Sequence, residues 1–192
     1  MSSYLQKDDF ISSEECEILI NCWKSEIKET PNVNLEFSNR IVYFKDVQNI
    51  NAKSLMSEIK YRVLYEIRKY FNVKTIYPDS AHLVVWRPGT KLGWHADNAT
   101  YPNRKPNWSS HRTWSAVLYL NDDYEGGEFV FLKNSDGDIN DEENHLIIKP
   151  KRGMMICFSA GLDSVHSVKE VKNGNRYTLP LWYTDQELSC EL

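Results

Sequence analysis

The chain has 192 residues, of which 41% are hydrophobic, 12% aromatic and 26% charged, a balance that excludes disordered, collagen-like and coiled-coil classes and suits one compact domain. Its 23 Lys and Arg against 27 Asp and Glu leave a formal charge of -4, so nucleic acid is not an expected partner. No apolar run approaches the roughly 20 residues of a membrane span, the opening MSSYLQKDDF lacks the apolar core of a secretory signal, and Cys16, Cys22, Cys157 and Cys190 form no CxxC pair; the expectation is a cytoplasmic protein with reduced thiols and no membrane partner.

Ser12 to Glu15 reads as a capping box at a helix start. Cys16, Leu19, Ile20, Trp23 and Ile27 then fall on one stripe, with Glu14, Glu17, Lys24 and Lys28 largely outside it, and Pro31 with the Asn-rich stretch after it ends the helix. A second amphipathic helix is predicted after Asn51, with Leu55, Ile59, Val63, Ile67 and Tyr70 on its buried face. From His82 the texture changes to short β-rich runs, at 82–86, 114–120, 128–132, 145–149, 154–158, 164–168 and 177–183. These predict a mainly β sandwich or barrel over about 76–185, buttressed by helices over about 10–75, as one domain spanning 1–192. Glu125-Gly126-Gly127-Glu128 is expected to form a tight turn between two strands. The stretch Asp136–Asp141 lacks the glycine that a calcium loop requires and reads as a solvated turn.

His95 and Asp97 are two residues apart, so on an extended segment both side chains project to one side. Alone, the pair also reads as a surface hydrogen bond. His166, in a later strand, is a third ligand candidate, with a half-buried strand histidine as the bland alternative. Two neutral imidazoles and one carboxylate make the facial arrangement of non-haem Fe(II) oxygenases, and zinc accepts the same ligands. Arg176 follows His166 by ten positions, with Thr178 on the same strand face. A planar, permanently charged guanidinium grips a carboxylate bidentately, and burying it near a barrel core without an anion is costly, which points to a small diacid. Tyr119 can add a phenolic donor or be an aromatic core residue.

The ordered set His95-x-Asp97, His166 and Arg176-x-Thr178 resembles the Fe(II)- and 2-oxoglutarate-dependent dioxygenases over most of residues 82–185. The segment RTWSAVLYLNDDYEGGEFVF from Arg112 to Phe131, the turn and strand from Pro150 to Phe158, and the closing strand Arg176–Tyr183 resemble, more narrowly, the prolyl 4-hydroxylase-like branch. The resemblance implies a double-stranded β-helix (jelly-roll) core. It further implies that His95, Asp97 and His166 hold Fe(II) and that 2-oxoglutarate chelates the iron through its keto-acid end. Arg176, helped by Thr178 and Tyr119, would then clasp the far carboxylate. O2 is the co-reactant, and ascorbate enters as an accessory reductant. The implied substrate is a proline-containing peptide or protein; a free amino acid or other small molecule is the alternative, and a catalytically silent barrel that binds metal or a diacid is the reading from another class.

Two features depart from the family pattern. Where many relatives carry a tyrosine nine residues before the first histidine, this chain has Trp86, and Pro180 interrupts the closing strand, implying a bulge or an unpaired edge. The long segment Asn98–His111, with Tyr101, Arg104, Lys105 and Trp108, reads either as a lid over the iron that helps bind substrate or as a solvated loop. Trp94, Arg112 and Trp182 are expected to line the same mouth.

Overall fold

Ser12 opens helix α1 (Ser13–Glu26) with the predicted capping box: its hydroxyl accepts from the Glu15 amide at 3.1 Å, and the Glu15 carboxylate accepts from the Ser12 amide at 2.6 Å. Helix α2 (Ile50–Phe71) is capped by Asn49, which accepts from the Ala52 amide at 3.0 Å, so Asn51 already lies in the first turn. Asn72, in the left-handed region at φ 54°, ends it. The structure is a computed structural model that describes residues 4–27 and 40–187; Lys28, Pro31, the Asn-rich stretch and Cys190 lie outside the described residues. Neither helix is long and apolar enough to cross a membrane. Cys16, Cys22 and Cys157 are buried free thiols.

Six strands form one sheet in the order β1 (Tyr4–Lys7), β9 (Met155–Ser159), β5 (Arg112–Tyr119), β12 (Arg176–Thr184), β3 (Tyr77–Trp86), β2 (Ile41–Tyr43). Four more form a second sheet in the order β4 (Leu92–His95), β10 (His166–Val168), β7 (Phe129–Leu132), β8 (His145–Ile148). The result is the two-sheet, all-antiparallel jelly roll with its helices on the outside of the larger sheet. Strand alternation divides the work of that sheet. Ala81, Leu83 and Val85 of β3 and Tyr177, Leu179, Leu181 and Tyr183 of β12 join Leu19, Ile59, Val63 and Ile67 of the helices in one buried cluster. Their neighbours Val84, Trp86, Arg176, Thr178 and Trp182 face the interior cavity. Each fully buried aliphatic on the helix stripes contributes roughly 1.5–3 kcal/mol. Tyr70, expected on that stripe, is 54% exposed; Phe71 packs on Trp114 in its place, at 4.2 Å between ring centroids.

One sequence expectation is corrected here, and another is decided between its two forms. Glu125 to Glu128 is not a hairpin turn. Glu125–Gly126 forms a short strand, β6, paired with β11 (Val171–Asn173), and the chain passes there from the larger sheet to the smaller. Both glycines do have positive φ, 74° and 66°, but close approach is what requires them: a Cβ on Gly126 would lie 2.1 Å from the Glu170 carbonyl oxygen. Pro180 lies in an inner strand between β5 and β3, not at an edge. It pairs with Val117 of β5, while the ladder with β3 shifts register between Leu181 and Tyr183, the bulge that a missing N–H predicts.

Candidate active site

His95 ends β4 and His166 begins β10; the two are direct cross-strand partners, with ring centroids 4.2 Å apart. Asp97 lies just beyond β4, its Oδ1 3.7 Å from His95 Nε2, and one ligating atom from each of the three residues lies within 4.8 Å of the others. His95 Nδ1 donates to the Gly93 carbonyl and His166 Nδ1 to the Ser164 carbonyl, both at 2.8 Å. A carbonyl only accepts, so each Nδ1 carries a hydrogen, and it is Nε2 of each ring that is left to offer a lone pair to a metal. Phe129 stacks on His166 at 4.9 Å and 15°, and the edge of Phe158 closes a second side.

Asp97 is gripped from two directions. Its Oδ2 accepts from Ser115 Oγ at 2.5 Å, and its backbone carbonyl accepts from Ser109 Oγ at 2.7 Å and Asn107 Nδ2 at 3.1 Å. Burial opposes ionisation of Asp97, but His166, His95 and the Ser115 hydroxyl outweigh it and hold the carboxyl below its ordinary range. Burial, reinforced by His95, pushes His166 down to about 4. At neutral pH this leaves a carboxylate beside a neutral His166 imidazole, the protonation state in which both can ligate a divalent cation.

Arg176 is 1% exposed. Among the described residues no carboxylate pairs with it, and its Nε is buried without a hydrogen-bond partner, as are the Tyr119 and Tyr124 hydroxyls. Burial raises both phenols, more than the nearby Arg176 lowers them, so both stay protonated donors. The guanidinium carbon sits 5.1 Å from the Tyr119 ring and 5.5 Å from the Trp86 ring. Gly127 makes room for this arrangement, because a Cβ there would lie 2.8 Å from Arg176 Cδ and 3.3 Å from Tyr124 Cε2. A cavity of about 550 Å³, measured out to its mouth, joins His95, Asp97 and His166 to Arg176 and Thr178. Paired donors and a buried cation at one end, and a three-ligand cluster at the other, fit a keto-diacid that bridges them.

The aromatic residues expected at the mouth divide. Trp182 lines the cavity and helps to lower the Asp97 carboxyl. Trp94 does not: His95 faces inward, so its neighbour on β4 faces outward and packs on His145 at 5.1 Å. Arg112 is buried behind Trp182, 4.3 Å from that ring. Its Nε donates to Asp79 at 2.8 Å and its Nη2 to Ser80 Oγ at 2.8 Å, so its charge is engaged outside the cavity. The Trp108 ring lies 4.9 Å from the Arg112 guanidinium carbon and is 82% exposed. The segment 98–111 is tied down: Ala99 bridges Pro106, Tyr101 donates to the Ser135 carbonyl at 3.0 Å, and Arg104 pairs with Asp136. It braces Asp97 instead of covering the site as a free lid. Residues 136–141 form exposed turn structure, as expected.

Sequence reasoning missed Tyr124, Asp79 and His82. Burial, then Arg112, pushes the His82 imidazole down to about 3; it lines the cavity against Trp182, 5.1 Å away. Its alternation with Val84 and Trp86 would have signalled that face, whereas nothing local marks Tyr124 or Asp79.

Residues 81–184, which carry every side chain lining the cavity, match the 2OG-Fe(II) oxygenase superfamily, and the chain belongs to that family. The family implies Fe(II) and 2-oxoglutarate, which the donor set fits. The chain is 40% identical over 104 residues to prolyl 3-hydroxylase 2 of Homo sapiens, a match covering 51% of this chain and 14% of that protein. Among solved structures, it is similar to the viral collagen prolyl hydroxylase from Paramecium Bursaria Chlorella virus-1 in its 2OG complex, with TM-score 0.67 and 18% identity over 94% of each chain. It is also similar to a prolyl hydroxylase from Trichoplax adhaerens in complex with a hypoxia inducible factor peptide fragment, with TM-score 0.70 and 16% identity over 98% of this chain and 86% of that one. At such identities the structural likeness establishes the shared fold.

Proposed function

We propose that this protein hydroxylates peptidyl proline, consuming 2-oxoglutarate and O2 and releasing succinate and CO2. The observation that carries the reading is the single cavity joining the His95, Asp97 and His166 ligand atoms to the buried Arg176, which has no carboxylate partner among the described residues. On this reading the three residues hold Fe(II), and Arg176, Thr178 and Tyr119 bind the far carboxylate of 2-oxoglutarate. Bound Fe(II) supplies O2 activation, coupled to decarboxylation of the keto acid, and ascorbate serves as an accessory reductant.

The protein's own part is positioning and exclusion. The Gly93 and Ser164 carbonyls hold both imidazoles in the metal-binding tautomer, and Ser115 occupies Asp97 Oδ2, leaving the oxygen nearer His95 for the cation. Leu92, Val117, Phe129, Phe158 and Val168 give the cavity an apolar wall that keeps bulk water from the reacting atoms. Pro180, Trp182 and His82 present a largely apolar surface against which a pyrrolidine ring packs, and the exposed Trp108, packed on Arg112 outside the cavity, is available to flanking peptide.

Incubation with Fe(II), 2-oxoglutarate and a library of proline peptides tests this. Succinate release with a peptide gaining one oxygen is expected, and the similarity to a prolyl 3-hydroxylase favours carbon 3 of the ring, which amino-acid analysis separates from carbon 4. Stimulation by free amino acids or other small molecules alone would refute the peptide substrate. No turnover under any condition would refute catalysis.

A further inference from the structure

Trp86 lines the cavity beside Arg176 and Thr178, and its hydrogen bonding has a consequence for Thr178. It is the cross-strand partner of Arg176 and shares the inner face with Thr178. Its indole N–H donates to Thr178 Oγ at 3.2 Å. A hydroxyl has one hydrogen and two lone pairs, and an indole N–H can donate but never accept. Thr178 therefore cannot turn its own hydrogen back onto residue 86, as it could onto a phenol. Among the described residues no side chain or carbonyl accepts that hydrogen, and Thr178, 2% exposed, lines the cavity beside Arg176. The indole is itself held in place: the guanidinium carbons of Arg40 and Arg176 lie 5.1 and 5.5 Å from its ring.

We propose that Trp86 is a positioning residue that commits the Thr178 hydroxyl to donate into the cavity and, on the reading that the cavity takes 2-oxoglutarate, makes the site selective for a keto acid with a second, distal carboxylate. The indole acts through Thr178. It removes the alternative in which Thr178 satisfies itself within the protein, so the ligand meets an oriented donor beside a fixed cation.

The test is calorimetric titration of the Mn(II)-loaded protein, which binds without turnover, with 2-oxoglutarate and with 2-oxopentanoate, whose chain ends in a methyl in place of the far carboxylate. Trp86→Phe keeps an aromatic ring by Arg176 and removes the N–H that holds one Thr178 lone pair, so the hydroxyl loses its fixed orientation. It is expected to weaken 2-oxoglutarate about fivefold and to change 2-oxopentanoate less than about twofold. Thr178→Val is expected to weaken 2-oxoglutarate about tenfold, with the double variant no more than about twofold worse, because both changes remove one contact. If Trp86→Phe does not fold, Trp86→Tyr, which returns an acceptor to Thr178, carries the same expectation. Unchanged 2-oxoglutarate affinity, an equal loss for both ligands, or additive losses would overturn the proposal. Failure of the unaltered protein to bind 2-oxoglutarate would instead overturn the reading of the cavity on which it rests.

Discussion

Replacing Arg176 with Met separates a ligand-binding arginine from a structural one, because the two predict opposite changes in stability. The guanidinium is 1% exposed and has no carboxylate partner among the described residues. The effective desolvation cost of such an ion is several kcal/mol, while its contacts with the Trp86 and Tyr119 rings return about 1–2 kcal/mol each. The balance leaves the ligand-free variant about 1 kcal/mol more stable than the unaltered protein, a rise in Tm of roughly 2–4 °C for a chain of this length. With Mn(II) and 2-oxoglutarate at about 100 times Kd, the unaltered protein gains about 2.7 kcal/mol by mass action. The variant, having lost a charge-assisted bidentate contact, binds about 100-fold more weakly and gains less than 1 kcal/mol at the same concentration. Differential scanning fluorimetry with and without 2-oxoglutarate reads both effects. A ligand-free variant that melts several degrees lower and keeps its full ligand-induced shift would refute the reasoning and make Arg176 a structural residue.

Ser115→Ala removes the hydroxyl on Asp97 Oδ2 and is expected to weaken Mn(II) binding about 10- to 100-fold, measured by metal titration. Gly127→Ala puts a methyl 2.8 Å from Arg176 Cδ at a backbone φ of 66°; a loss of about 1–3 kcal/mol in urea denaturation and weaker 2-oxoglutarate binding are expected. His82 is held neutral, down to about 3, by burial and then by Arg112, whereas an unfolded histidine titrates near 6.5. The unfolded chain therefore binds the extra proton between those values, and stability falls as pH drops below about 6.5, by up to about 1.4 kcal/mol per unit from this group. His82→Leu is expected to flatten that part of the stability profile, and an unchanged slope in denaturation across pH 4–6.5 would contradict it.

Much of this was legible locally because the signals are local. The capping box at Ser12, the helix stripes, the long inner strands and the His95-x-Asp97 spacing each follow from a few neighbouring residues. Strands β1, β2 and β4 have only three or four residues each and lie outside the β-rich runs that marked the equally short β7, β8 and β10. The Glu125–Glu128 segment misled because its glycines do have hairpin-like φ values, yet its strand partner is Val171–Asn173, far along the chain. Arg112 and Trp94 were placed at the mouth from residue type alone, which says nothing about facing: Asp79 draws one away, and strand alternation turns the other outward.

By itself the amino-acid sequence determined the class of fold, the ordered set of candidate ligands and the choice of arginine for an anion, since those depend on residue chemistry and short-range spacing. Only the tertiary structure decided that His95 and His166 are cross-strand partners, that Arg176 is buried without a counter-charge among the described residues and that the Trp86 indole donates to Thr178. Those are relations between strands distant in sequence. Their geometry is set by sheet register and by which side of each strand faces the cavity, and both are fixed only when the whole sandwich closes.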